Sequence, residues 1–331
     1  MLSGGTVRII VMMAVPIVVI LAGWYVATVL LRPPAPRNPW KDRAPMPTAR
    51  QHPAVAVADD GTLYAVGGMT GLLGPMAATL EVYDPATETW TKRAPMPTPR
   101  DHLATAFVGG KLYAIGGGTL EGPNPGFLST VEEYDPATNT WTAKAPMPTR
   151  RESFGLAAAN GKLYAIGGVT FSGSTIQAAA SVEEYDPATD RWITKAPLPT
   201  PRTGLAVVTG PNGKLYAVGG YKSGPLATVD EYDPATDTWT TKAPLLKARS
   251  SHGLAVANGK LYAIGGLTRD LKPTVEEYDL ATDRWTLKGP MPANERRSMG
   301  VASVNGKVYA VGGCINGACP SATVDAFDPA A

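Results

Sequence analysis

The chain has 331 residues, 44% of them hydrophobic and 18% charged, with 36 glycines and 31 prolines. That composition excludes a disordered or collagen-like chain and points to a turn-rich globular fold. Residues 1–43 hold Arg8, Arg32, Arg37, Lys41 and Arg43 against Asp42, a net of +4, so the rest of a chain with total charge +2 carries −2. The basicity is confined to the N-terminal segment, and no basic stripe remains to follow a nucleic-acid backbone.

After an N-terminal tail (1–8), Ile9 to Leu31 runs 23 residues without a charge. A helix of that length reaches roughly 35 Å, enough to cross a hydrocarbon core about 30 Å thick. Pro16 is tolerable in such a helix, and Trp24 and Tyr25 suit an interface. A cleaved signal peptide would have a shorter apolar core and a small-x-small site, and no Ala-x-Ala follows here. The expectation is one transmembrane helix over 9–31 that tethers the chain to the lipid bilayer. A proline-rich linker, 32–37, should stand off the membrane as a stiff spacer. Arg32, Arg37, Lys41 and Arg43 would hold the C-terminal part inside by the positive-inside rule. Cysteine usage argues the other way: Cys314 and Cys319, the only two thiols, lie close enough in one loop to bond, which suits an oxidising compartment. Two unpaired loop thiols are the alternative, and without a histidine nearby they make a poor zinc site. The reading adopted is a single-pass membrane protein with its folded part on the extracytoplasmic side.

Residues 38–331 are repetitive. KLYAIGG stands at 111–117, 162–168 and 260–266, with close variants at 62–68, 214–220 and 307–313. Each copy reads as four short strands. Two apolar runs are joined through Asn-Gly at 160–161, 258–259 and 305–306, the pair favoured where a two-residue hairpin turn needs positive φ twice. A third strand such as VEEY (182–185) ends in Asp-Pro-Ala-Thr, a turn in which proline presets φ and aspartate accepts backbone hydrogen bonds. A fourth strand carries a tryptophan. Tryptophans recur at spacings of 50, 51, 51, 47 and 46 residues, beginning with Trp40.

Paired glycines, then Tyr, then Trp, in the pattern YAIGG…VEEYDPATxxW, resemble the kelch family from Trp40 to the C-terminus. The resemblance implies an all-β fold, a six-bladed kelch-type β-propeller with one blade per repeat. Leu280 departs from it by replacing a turn proline, and Phe327 by replacing a tyrosine. The sixth repeat stops at VDAFDPAA without a tryptophan strand, while NPWKDRAPMP from Asn38 matches ETWTKRAPMP from Glu88. The N-terminal strand is therefore predicted to close the ring by pairing with the last repeat, leaving no open edge there.

Letters shared by all copies are scaffold, so ligand contacts belong in the segments that differ. These follow each Gly pair, and Leu72, Leu73, Phe127, Phe171, Tyr221, Lys222 and Arg269 are their strongest anchors. A second candidate is the arginine before each first strand: Arg50, Arg100, Arg151, Arg202, Arg249 and Arg297. A ring of guanidinium groups at the channel mouth would hold a carboxylate or phosphate. A position used once per blade equally serves the blade, with each arginine bonded to a neighbouring carboxylate or loop carbonyl. His52, His102 and His252 are read as equivalent positions after the arginine, in blades one, two and five, too scattered for a metal cluster. No metal site, cofactor or catalytic residue is expected. The tyrosine, histidine and cysteine set of propeller copper oxidases is not assembled, and no nucleophile elbow or phosphate loop is visible. A ubiquitin-ligase adaptor is not expected either, since no second domain pattern flanks the repeats. The function expected is a membrane-tethered module binding a protein or carbohydrate through its loops, more a binder than an enzyme. The alternative is an exported sugar-processing enzyme resembling kelch-type sialic acid epimerases.

Overall fold

The computed structural model describes residues 38–71, 74–120, 126–272, 274–292 and 296–331. The tail, the apolar 9–31 segment, the 32–37 linker and the loop residues Leu72 and Leu73 lie outside them. Among the described residues no helix is long and apolar enough to cross a membrane.

Six four-stranded antiparallel sheets account for the repeats. Blade three serves as the pattern: Gly155–Ala159, Lys162–Ile166, Val182–Asp186 and Arg191–Lys195, adjacent in that order. Asn160 and Gly161 take φ of 52° and 74°, the doubly positive geometry that their hairpin demands. At the next reversal, Asp186 Oδ1 accepts the Ala188 N–H at 2.9 Å and turns the third strand into the fourth.

Neither face of a blade is stable alone, because alternate residues of the inner strands are apolar on both sides. Stacking neighbours solves this with six cores, one between each consecutive pair of blades. Tyr113, Ile115 and Val131 of blade two meet Phe154, Leu163 and Tyr185 of blade three. Each fully buried aromatic or aliphatic side chain of this kind contributes about 1.5–3 kcal/mol. Tryptophan adds a polar stitch: Trp192 packs 5.0 Å from the Tyr185 ring and donates its indole N–H to the Ala145 carbonyl of the preceding blade at 3.0 Å. Trp90, Trp141, Trp239 and Trp285 repeat it.

The glycine pair has a specific task. Gly117 sits at φ 96° and donates its N–H to the Arg151 carbonyl of the next blade at 3.0 Å. A Cβ on its neighbour Gly116 would lie 2.8 Å from that same carbonyl oxygen, so only glycine lets the next blade's entry segment pass. The bond recurs around the ring and across the seam, where Gly313 donates to Arg50 at 2.8 Å.

The seam closes as the sequence predicts. Trp40–Arg43 pairs antiparallel with Val324–Phe327, Trp40 opposite Phe327 and Arg43 opposite Val324. The two rings lie 5.1 Å apart, and Tyr309, Val311 and Val324 pack on Leu63, Ala65 and Tyr83 of blade one. The ring is complete.

One clamp fails beside the seam. In blade three, Asp190 Oδ1 accepts both the Tyr185 hydroxyl at 2.6 Å and the Ala145 N–H of the preceding blade at 2.8 Å. Asn139 does the same for Tyr134 and Ala94 in blade two. Blade one has Glu88 there, at φ 55°, and its longer side chain bonds Arg43 at 2.7 Å instead. The buried Tyr83 hydroxyl then has no hydrogen-bond partner among the described residues. Asparagine tolerates positive φ better than glutamate, and the exposed ion pair with Arg43 adds little. Glu88→Asn should therefore stabilise the ring by about 1 kcal/mol, read as a higher urea midpoint with an unchanged slope.

Candidate functional site

Each first strand is entered, and each second strand left, at the same end of the propeller. Antiparallel bridges Asp101–Gly118, Glu152–Val169 and Thr203–Tyr221 tie the two there, as do the short ladders Arg249–Thr268 and Arg297–Cys314. One end of the central channel is thus surrounded by the entry segments and, outside them, by the variable loops.

The arginines stand at this end but turn into the blades. Arg50, Arg100, Arg151, Arg202 and Arg249 are fully buried, and the sixth member is Arg296 rather than Arg297. Each meets the first acidic residue of its third strand: Glu81, Glu132, Glu183, Asp230, Glu276 and Asp325. Arg50 lies 2.9 Å from Glu81 and donates to the Gly67 and Thr79 carbonyls at 3.0 and 3.1 Å. Burial draws its pKa down to about 10, against the opposing pull of Glu81. The guanidinium ring expected at the mouth is therefore not formed by these side chains, whose terminal nitrogens face carboxylates and carbonyls inside each blade. The spacing of four residues to the strand glycine, seen in Arg151–Gly155 and Arg249–Gly253, singles out Arg296 through Gly300. The adjacent Arg297 is only partly buried and stands near His52, whose pKa is lowered chiefly by burial, with Arg297 adding slightly to the shift.

Two residues after each arginine the backbone enters the left-handed region: His52, His102, Ser153, Gly204, Ser251 and Ser298, at φ from 49° to 59°. These residues hydrogen-bond to one another around the axis. His52 N donates to Ser298, Ser153 to His102, Gly204 to Ser153, Ser251 to Gly204 and Ser298 to Ser251, at 2.8–3.2 Å. They line a cavity of about 130 Å³ together with the next residue of each blade, among them Leu103, Phe154 and His252.

His252 is thus one position out of step with the other two histidines. It occupies the place of Leu103 and Leu205, is buried in the blade interface, and neither ring nitrogen has a hydrogen-bond partner among the described residues. Burial, with Arg249 adding to it, pushes its pKa down to about 3.

His52 and His102 come together instead, with ring centroids 3.6 Å apart. Asp101, whose place in the repeat is held elsewhere by Gln51, Glu152, Thr203, Ser250 and Arg297, lies between them and is almost completely buried. Its Oδ2 stands 2.7 Å from His102 Nδ1 and 3.6 Å from His52 Nδ1. Burial works against the Asp101 carboxylate, yet the two imidazoles hold its pKa well below the usual range. Burial raises the pKa of neighbouring Glu152, with Asp101 reinforcing the shift and His102 opposing it. Sequence reasoning missed Asp101 and Glu152, although blades two and three are the two that place an acid directly after the arginine.

The variable loops carry exposed apolar side chains. Val169–Ser172 and Thr175–Ala178 form a hairpin in which Phe171 faces Ile176 across the strands. Phe171 is 47% and Ile176 60% exposed, and the Phe127 ring of the preceding blade lies 4.5 Å from Phe171. Of the predicted loop anchors, this brings Phe127 and Phe171 together. Tyr221, Lys222 and Arg269 are exposed on the loops of blades four and five. In blade six the structure bonds Cys314 to Cys319, with Cα atoms 4.5 Å apart.

The KLHDC2/KLHL20/DRC7 Kelch-repeats domain matches residues 51–266, and the Kelch motif matches 248–292 and 295–331. Kelch-like protein 38 of Rattus norvegicus is 30% identical over 164 residues, covering 49% of this chain and 26% of that protein. Beta-scruin of Limulus polyphemus is 31% identical over 188 residues, covering 56% of this chain and 20% of that protein. The matches thus span about a quarter of the length of the first of these relatives and a fifth of the second. The solved "Structure of YjhT" superposes with a TM-score of 0.72 at 20% identity, covering 85% of this chain and 95% of that one, a likeness of fold. With family models matching 51–266 and 248–292 and 295–331, well over half its length, the chain belongs to the kelch-repeat family.

Proposed function

We propose that the protein is a membrane-tethered binding module whose propeller engages a protein or glycan through the loops that follow the glycine pairs. Kelch propellers commonly serve as protein-binding modules. The observation that carries the reading is the aromatic step in which exposed Phe171 and Ile176 stand beside the half-buried Phe127, on loops that differ from blade to blade. Exposed aromatics of this kind supply anchor area at low entropic cost, to a protein surface or to the apolar face of a sugar ring. The uncharged 9–31 segment would hold the ring at the bilayer, and the Cys314–Cys319 bond supports an extracytoplasmic location.

Capture of partners from membrane extract by the detergent-solubilised full chain, alongside binding to a glycan array, tests this. The Phe171→Ser/Ile176→Ser variant should lose at least tenfold in affinity for whatever is bound, with its melting temperature within about 2 °C of wild type. Undiminished binding by that variant would remove the loop face from the account. Resistance of the chain to alkaline extraction from membranes, and its release when residues 9–31 are deleted, tests the tether.

The second reading, an exported enzyme acting on an acidic sugar, draws on the cavity at the channel mouth. Because the six buried arginines are bound inside their blades, a cation outside them, such as Arg297, would have to hold the acid. Thermal stabilisation by an acidic sugar that disappears in Arg297→Ala would favour this reading over the loop module.

A further inference from the structure

We propose that His52, Asp101 and His102 form a binding site for a divalent transition-metal ion of the zinc class at the mouth of the channel. The donor atoms His52 Nδ1, His102 Nδ1 and Asp101 Oδ2 all lie within 4.8 Å of one another. Two imidazoles and a carboxylate are a donor set that zinc and its neighbours accept, with bonds of about 2.0–2.2 Å. Tetrahedral ligands at that radius stand roughly 3.3–3.5 Å apart. The present separations of 2.7 and 3.6 Å from Asp101 Oδ2 lie on either side of this, and the two imidazole nitrogens are within 4.8 Å of each other.

A purely structural role accounts poorly for these atoms. Asp101 Oδ2 pairs with His102 Nδ1 at 2.7 Å, which leaves the buried His52 Nδ1, 3.6 Å from the same oxygen, without a hydrogen bond among the described residues. Buried polar atoms normally find partners, and lone pairs converging on a common point are what a cation satisfies. Nor does the scaffold require histidine. Ser153, Gly204, Ser251 and Ser298 hold the same left-handed backbone position in the other four blades. Histidine appears only in the two adjacent blades that flank Asp101.

The frame is rigid and open on one side. Asp101 is pinned through paired backbone hydrogen bonds with Gly118, at 3.1 and 2.9 Å. The His52 N–H and His102 carbonyl are engaged by Ser298 and Ser153 in the ring around the axis. Glu152 adds a second carboxylate close by, in a place that a side chain at Gly118 would fill. The two histidine side chains keep 22% and 29% of their surface exposed, and both line the cavity at the mouth, so an ion has a path in and a free coordination position to offer. Three protein ligands with one open position is the arrangement of zinc sites that bind a further small ligand.

The test uses the untagged full chain in detergent, stripped by chelator and dialysed against zinc chloride, with bound metal counted. One zinc per chain at micromolar free zinc is expected, and cobalt in its place should give the visible absorption of a low-coordinate nitrogen and oxygen site. His52→Ser and His102→Ser place a residue that three other blades already carry there, so both should fold, with melting curves as the check. Each should weaken zinc binding more than the roughly 10–100-fold typical of losing an outer-shell partner. Asp101→Asn should weaken it similarly, and His252→Leu should leave it unchanged. No zinc on the wild-type chain, or unchanged affinity in His52→Ser and His102→Ser, would overturn the proposal.

Discussion

Arg249→Met should lower the unfolding free energy by about 3–5 kcal/mol. Arg249 is fully buried and bonds Gly265 and Thr274 through their carbonyls at 3.0 and 2.8 Å, and Glu276 through its carboxylate. Methionine fills most of the volume but leaves the fully buried Glu276 without its counter-charge. Among the described residues, the backbone N–H groups of Leu246 and Lys247, at 2.7 and 3.1 Å, are then what hold that carboxylate. Neutralising it in Arg249→Met/Glu276→Gln removes the unpaired charge and keeps an acceptor for one of those two donors, and should recover about half of the loss. Guanidinium denaturation of the wild type, the single variant and the double variant checks both numbers. A single-variant loss below about 1 kcal/mol would mean that the arginine is not integral to its blade.

His252 yields the second large effect, and it depends on pH. Its folded-state pKa is pushed down to about 3, whereas an unfolded chain protonates its histidines near 6.5. Above pH 6.5 both states are neutral and the group adds no pH dependence. As pH falls below 6.5, the unfolded chain takes up a proton that the folded chain refuses, so stability is lost at about 1.4 kcal/mol per pH unit until the folded pKa is reached. Between pH 6.5 and 4.5 this amounts to roughly 3 kcal/mol. His252→Leu, which installs the residue that blades two and four carry as Leu103 and Leu205, should abolish that part of the acid slope. It should also raise stability at pH 7 by about 1 kcal/mol or more, because a buried unpaired polar ring is replaced by an apolar one. Melting temperatures of the two proteins from pH 4.5 to 8 should diverge on the acid side, and parallel curves would contradict the assignment.

The propeller was legible because its information is periodic. Six glycine pairs, the tyrosine and tryptophan that follow, and an orphan tryptophan strand at Trp40 define the blade, the number of blades and the seam without any long-range inference. What periodicity hides is register. With Arg296 and Arg297 adjacent, a slip of one residue exchanges a buried guanidinium for one at the mouth, and only the distance to Gly300 decides between them. The same slip made His252 look equivalent to His52 and His102, when it lies on the apolar side of the turn. The carboxylate partners of the arginines recur as a letter in every repeat, from Glu81 to Asp325, but their pairing is a property of strand order in space. The cluster at the mouth was hidden for a further reason. Asp101 meets His52 only because blade two is wrapped against blade one, and residues 49 positions apart in the chain show no local pattern linking them.

Everything positioned at the mouth depends on a ring that is closed by Trp40–Arg43 and not merely curved. Amide hydrogen exchange of the full chain, followed strand by strand, measures this directly. The closing strand should be protected to the same free energy as its partner Val324–Phe327 and as the corresponding strand Thr89–Arg93 of blade one, since all three would open only with the ring. Exchange at Lys41–Arg43 orders of magnitude faster than at Val324–Phe327 would show a strand that comes and goes at an open seam, and would contradict the account.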